Sequence, residues 1–137
     1  MRVAVDINVL ISTIIKPENH IGMIVVRMRN GDYTLLYSSE LINEFTEVVT
    51  RDKFWKKFQL TEETVNAFVG SILKYGQRVS VVTLVDICRD PDDNILLSLA
   101  LDGKADYIVS GDKDLLDMVS FRNIPIVKPA EFLAMFQ

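Results

Sequence analysis

Five short runs of apolar, mostly β-branched or aromatic residues punctuate the chain, at Arg2–Val5, Tyr33–Tyr37, Val79–Val82, Tyr107–Val109 and Ile124–Val127, and stretches of helical periodicity follow each of them. Strand and helix in strict alternation constrain the fold more than any other feature. Consecutive strands joined through helices run parallel, by right-handed crossovers, and the helices must cover both faces of the sheet they form. The expected architecture is therefore α/β, a three-layer α/β/α sandwich with a central, mostly parallel sheet. No internal repeat or low-complexity linker interrupts the pattern, and 137 residues suit one domain, expected to span residues 1–137. In sheets of this kind ligands bind beyond the carboxyl ends of the strands, near the point where strand order reverses, and Asp6 and Asp112 follow apolar strands there.

Local signals delimit the helices. Asn8 onward carries Val9, Leu10, Ile14 and Ile15 at helical positions before Lys16-Pro17, and Ile21, Ile24, Val25 and Met28 repeat the spacing before the stop signal Asn30-Gly31. Ser38-Ser39 supplies an N-cap for a helix whose apolar stripe is Leu41, Phe45, Val48 and Val49. Glu44 falls on that same stripe. Thr61-Glu62-Glu63-Thr64 opens another helix, with Val65, Phe68, Val69, Ile72 and Leu73 inward. The charge-free run Ile7–Ile15 is too short to span a membrane, so no membrane partner is expected.

Acidic residues concentrate between Asp90 and Asp114. Asp90 before Pro91 is a good N-cap with proline at the first helical position, Asp93 falls where acids favour the helix dipole, and Asp112 can cap the turn containing Asp114-Leu115-Leu116. Capping alone thus suffices for these residues taken singly. It is not expected to explain Asp6, directly after an apolar strand, or Glu44, within an apolar stripe. A buried unpaired carboxylate costs several kcal/mol. No lysine or arginine sits at a comparable strand end, so a shared divalent cation is the economical partner for Asp6, Glu44, Asp93 and Asp112. Oxygen ligands suit Mg²⁺ or Mn²⁺, and such a site is what phosphodiester hydrolysis calls for.

Other chemistries find little support. Cys88 is the only cysteine and His20 the only histidine, which removes an internal disulfide, a cysteine zinc cage and Cys–His nucleophilic schemes, and fits a reducing compartment, the cytoplasm by default. There is no phosphate-binding glycine loop of either common pattern, and Asn8 stands where a phosphoaspartate phosphatase would need a second aspartate. Fifteen Lys and Arg against nineteen Asp and Glu give a net charge of −4. That balance argues against a broad nucleic-acid footprint, except that acids gathered around divalent cations do not repel a polyanion once the metal is bound. The one basic, aromatic segment is Arg51 to Phe58, net +3, where Lys53, Lys56 and Lys57 could contact phosphates and Trp55 a base. The alternatives there are an amphipathic helix with Phe54, Trp55 and Phe58 packed inward, or a contact with a partner protein.

Val-Ala-Val-Asp6-Ile-Asn8, Ser39-Glu40-Leu41-Ile42-Asn43-Glu44, Asp90-Pro91-Asp92-Asp93-Asn94 and Val109-Ser110-Gly111-Asp112-Lys113-Asp114 resemble, in order and spacing, the successive acidic motifs of PIN domains. The nearest group is the VapC-like toxins of toxin–antitoxin pairs. The resemblance implies a five-stranded parallel sheet and a Mg²⁺- or Mn²⁺-dependent ribonuclease, often homodimeric and inhibited by an antitoxin. Asp6, Glu44, Asp93 and Asp112 match the acidic ligands, Asn8 and Ser110 the polar residues that support them, and Asp90 and Asp114 less constant acids nearby. The chain differs at Ile7, where the family more often has a small or hydroxylated residue. The alternatives to a toxin are a catalytically silent PIN-like binding protein and a solitary RNA-processing nuclease. A DNA nuclease of the flap-endonuclease type would need a longer chain.

Overall fold

A computed structural model describes residues 1–136. β1 (Arg2–Val5) lies at the centre of a sheet of order β3-β2-β1-β4-β6-β5, with β2 at Thr34–Tyr37, β3 at Gln77–Arg78, β4 at Tyr107–Val109, β5 at Ser120–Phe121 and β6 at Ile124–Val127. The five strands from β3 to β6 are parallel, as the alternation requires, and β5 adds a sixth, antiparallel to β6. From β1 the chain moves outward through β2 and β3, then returns to the other side of β1 with β4. The order therefore reverses between β1 and β4, which defines the switch point.

Helices flank the sheet: α1 (Ile7–Ile15), α2 (Met23–Arg29), α3 (Ser39–Val49), α4 (Asp52–Lys57), α5 (Glu62–Tyr75), α6 (Pro91–Asp102), α7 (Lys113–Asp117) and α8 (Pro129–Ala134). Their starts follow the capping chemistry. Ser38 accepts from the Leu41 amide, Thr61 from Thr64, Asp90 from Asp92 and Asp112 from Asp114. Val3, Ala4 and Val5 of β1, Leu36 of β2, and Ile108 and Val109 of β4 are fully buried, the near-continuous apolar reading of a parallel strand covered on both faces. No single helix among the described residues is long and apolar enough to cross a membrane.

Two expectations need correction. The third strand is Gln77–Arg78 rather than Val79–Val82. Pairing with β2 continues only to Val79, whose amide donates to the Tyr37 carbonyl at 2.8 Å, because the next residue of the neighbouring strand, Ser38, already caps α3. Beyond that point the extended chain has no strand to pair with and is pegged to α6 instead. Asp102 accepts from the amides of Val82 and Thr83 at 2.7 and 2.8 Å and from the Thr83 hydroxyl at 2.6 Å. Ser98 accepts from the Val85 amide, and Asn94 from the amides of Ile87 and Cys88. Asn94, Ser98 and Asp102 are four residues apart, one above the other on one face of α6. The second correction is the extra strand β5. Its two-residue turn, Arg122-Asn123, has positive φ at both positions (46° and 68°), the mirror-image geometry that suits a hairpin's twist, but without the Asn-Gly or Asp-Gly pair that usually signals it.

Replacing Asp102 with alanine strands two amides and a hydroxyl at once. Hydrogen bonds to a charged acceptor contribute about 1.5–3 kcal/mol each at most, so we expect a loss of about 2 kcal/mol in urea unfolding, with faster hydrogen exchange at Val82 and Thr83. Unchanged exchange at those amides would show that the strap is held by its side chains and not by Asp102.

Candidate active site

The first acid is set by the pairing of β1 with β4. The Asp6 amide donates to the Val109 carbonyl at 2.9 Å, which places Asp6 beside Ser110 at the carboxyl end of the two central strands. Asp6 also caps α1. Its Oδ1 accepts from the Asn8 amide at 3.1 Å, so the expectation that capping leaves Asp6 unexplained is overturned: the strand passes into the helix with no loop between them, and Asp6 is the joint. Its Oδ2 accepts from the Ser110 hydroxyl at 2.7 Å, and the Ser110 oxygen accepts in turn from the Asp112 amide at 3.0 Å. Both residues are buried, Asp6 at 6% exposure and Ser110 at 0%. Burial pushes the Asp6 carboxyl upward. The bonds from Ser110 and Asn8 pull it down, and the charges of Asp112 and Asp90 push it up again.

Glu44 sits one turn of α3 beyond Leu41, half-buried beside the stripe of Leu41, Phe45 and Val49. Its Oε1 is fully shielded from solvent and finds no hydrogen-bond partner, the single buried side-chain polar atom of this kind among the described residues. Burial first, then contact with Asp92 and the charges of Asp92, Asp6 and Asp90, push it up from 4.5 to about 8. Two carboxyls side by side bond only when one carries a proton, which is why Asp92 raises Glu44. Asp93, in the first turn of α6 and 8% exposed, is pushed from 3.8 to about 7 by burial, by contact with Asp112 and by the charges of Asp112, Asp6 and Asp90.

A cleft of about 250 Å³ is lined by Asp6, Asn8, Glu44, Asp90, Asp92 and Asp93, and by Arg51, Lys53 and Phe54. Asp112 reaches Asp93 but lines an adjoining depression, with Asn8 and Gly111. A larger groove of about 410 Å³ lies elsewhere, between α1, α2 and α5. Its walls are mostly apolar, with Thr13, Thr64 and Arg29 the polar exceptions and no acid to perform chemistry. Two contacts join these acids, Glu44 with Asp92 inside the cleft and Asp93 with Asp112 across to the depression beside it. Among the described residues no three Asp, Glu, His or Cys side chains are close enough together to wrap a cation. The donor set nevertheless fits a hard divalent cation. All its donors are oxygens, one of them is buried and unpartnered, and two of the carboxyls are pushed upward by burial and then by neighbouring acids, a charge that a cation would offset.

Asp114 is drawn away, its Oδ2 accepting from Arg89 at 2.8 Å in an exposed ion pair. Asp90 caps α6 on the rim. Asp92 is the acid that sequence reasoning passed over. It lay in plain view in Asp90-Pro91-Asp92-Asp93, yet only the approach of α3 to α6 shows that it faces Glu44. In the basic segment, Phe54, Trp55 and Phe58 are half-buried against the core, as an amphipathic helix requires, so Trp55 serves packing. Lys53, Lys56 and Lys57 are exposed, and of these only Lys53 reaches the cleft.

Residues 2–114 match a family model described as PIN domain. The chain is 25% identical over 155 aligned residues to an uncharacterized protein of Methanocaldococcus jannaschii, covering all of this chain and 92% of that one. Its fold is similar, with a TM-score of 0.62, to a chain in the crystal structure of VapBC2 from Rickettsia felis bound to a DNA fragment from their promoter. The match covers 93% of this chain and 98% of that one at 13% identity, a likeness of fold.

The raised carboxyls make a stability prediction. Glu44 and Asp93 bind protons more tightly folded than unfolded, so their contribution is fully present below their ordinary values of 4.5 and 3.8 and is lost as pH rises through about 7 and 8. The metal-free protein should therefore melt at progressively lower temperature across that window, and Glu44→Gln should flatten the upper part of the fall. A melting temperature equally pH-dependent in the variant would remove Glu44 as the cause.

Proposed function

The chain belongs to the PIN-domain family, and on that premise we propose that it is a divalent-metal-dependent endoribonuclease, the toxin of a toxin–antitoxin pair, with residues 1–137 as one nuclease domain. The reading is supported most by the Glu44 carboxyl, an ionisable group beside an apolar helix stripe whose buried Oε1 has no partner although the cleft beside it holds further acids. A structural role alone gives no reason to keep it there.

Asp6, Glu44, Asp93 and Asp112 are the residues that would hold Mg²⁺ or Mn²⁺. Bound there, the ion would lower the pKa of a water and neutralise charge on a scissile phosphodiester. The chain's own contribution is orientation. The Ser110 hydroxyl and the Asn8 amide together engage both Asp6 oxygens and fix the rotamer of its carboxylate. Ser110 also ties Asp112 to the same point through the Asp112 amide. Glu44 and Asp93 must release their protons to serve as ligands, so affinity should increase with pH. Asp92, exposed on the first turn of α6, adds its charge beside Glu44 and so raises what that release costs. Asp114, engaged by Arg89, has no part in this scheme.

The likeness in fold to a chain of the VapBC2 complex supports a protein antitoxin as partner. A homodimer and action in the cytoplasm, where the lone Cys88 stays reduced, complete the proposal.

With Mg²⁺ or Mn²⁺ present, Asp6→Asn should lower the rate of single-stranded RNA cleavage by more than a hundredfold, beyond the ~10–100-fold expected for Ser110→Ala, which removes only a supporting bond. Full activity in a folded Asp6→Asn protein would end the assignment. A parent that binds metal and an antitoxin-like peptide but cuts neither single-stranded nor structured RNA would be the silent binding protein. Absence of a small neighbouring frame encoding a DNA-binding fold would favour the solitary nuclease. Independently of activity, Mn²⁺ should raise the melting temperature more at about pH 8 than at about pH 6, because protons compete for the ligands at the lower value. An equal increase at both would exclude Glu44 and Asp93 as ligands.

A further inference from the structure

The cleft has a cationic wall with no assigned role. Arg51 and Lys53 line it together with Glu44, Asp90, Asp92 and Asp93, and yet none of these acids forms an ion pair with either base among the described residues. Arg51 makes instead a 3.3 Å contact with Glu47 on the outer surface of α3. Both partners are more than half exposed, so the contact is easily given up. Lys53 rests over the ring of Phe54, 5.0 Å from its centre, and Phe54 is itself on the cleft wall. Opposite charges that share a cleft without meeting leave room for an anion between them.

The remainder of the helix is otherwise engaged. Trp55 and Phe58 pack against the core, as does one side of Phe54, which stacks on Phe58 at 6.2 Å between ring centres; Lys56 lies 3.9 Å from Asp52, and Lys57 sits over Phe58. Of this segment only Arg51, the N-cap residue of α4, and Lys53 and Phe54 within it line the cleft with the acids. These three combine two cations with an aromatic face. Phosphate and an unstacked base are the two groups that such a combination recognises in single-stranded nucleic acid.

We propose that Arg51, Lys53 and Phe54 form a subsite for the nucleotide next to the scissile phosphodiester of a single-stranded RNA, the cations holding its phosphate and the Phe54 ring its base. This rests on the nuclease reading above for the identity of the strand. Duplex RNA keeps its bases stacked and offers none to the ring, so the subsite selects single strands.

The test is equilibrium binding of a labelled single-stranded RNA across a salt series, in an Asp6→Asn background that prevents cleavage. Arg51→Ala and Lys53→Ala should each weaken binding at least about threefold at ~50 mM salt and flatten the dependence of log affinity on log salt by about 0.7. Phe54→Leu keeps the packing but removes the ring, and should weaken binding about fivefold with the salt slope unchanged. Lys56→Ala and Lys57→Ala should change neither quantity. Equal losses in those two variants would overturn the subsite in favour of diffuse attraction, and unaltered binding in the first three, or a parent that prefers duplex, would overturn it outright. Cleavage by the active parent is scored separately. Binding lost in the α4 variants of a protein that cuts no RNA would sink the nuclease reading and keep the subsite, and cleavage at full rate with α4 altered would do the reverse.

Discussion

The parallel pairing of β1 with β4 governs most of what this molecule can do. It is the seam at which strand order reverses, and both strands end there, so the chain turns into α1 after one residue on one side and into α7 after three on the other. Asp6 and Ser110 stand at those two ends. The backbone bond from Asp6 to Val109 and the side-chain bond from Ser110 to Asp6 join segments more than a hundred residues apart in sequence. Val3, Ala4, Ile108 and Val109 bury the seam completely, so the position of Asp6 is set by the most rigid part of the core.

Around that fixed point the protein gathers like charges. Asp6, Glu44 and Asp93 are all pushed upward, in each case chiefly by burial and then by one another or by Asp90, Asp92 and Asp112. Gathered in this way they oppose folding at neutral pH. The strain is local, because the caps that also use these carboxylates are satisfied. Asp6, Asp90 and Asp112 each accept an amide at the start of a helix while facing the shared cleft or the depression beside it. Capping and site chemistry are one arrangement seen from two sides.

Helix α6 connects the acids to the fold. It carries Asp92 and Asp93 in its first turn, packs Leu96, Leu97, Leu99 and Ala100 into the core, and pegs the extended segment after β3 with Asn94, Ser98 and Asp102. Covered on both sides, it has little freedom to shift, and its N-terminus holds the acids against α3. The strap leaves Val82, Leu84 and Ile87 facing outward, at 83, 95 and 64% exposure.

Sequence alone determined what depends on neighbours along the chain: the alternation that makes five parallel strands, the caps at Ser38, Thr61, Asp90 and Asp112, and the inward stripe on which Glu44 is out of place. Each of these is written within a few residues and needs no partner to be read. What depends on pairing across the chain was decided by the tertiary structure. Val79–Val82 reads as a strand but has no ladder to join once Ser38 turns its neighbour into a helix. Arg122-Asn123 turns a hairpin without the usual residues because the pairing of β5 with β6 holds its two sides together. Asp92 rather than Asp114 faces the site, since α3 comes to lie against α6 while Arg89 draws Asp114 outward. Asp6 looked unexplained by capping because a strand that passes directly into a helix leaves no loop to mark the boundary. The identities of the acids were legible in the chain, but which of them share a cleft, and which bases face them, follows only from how the strands and helices pack.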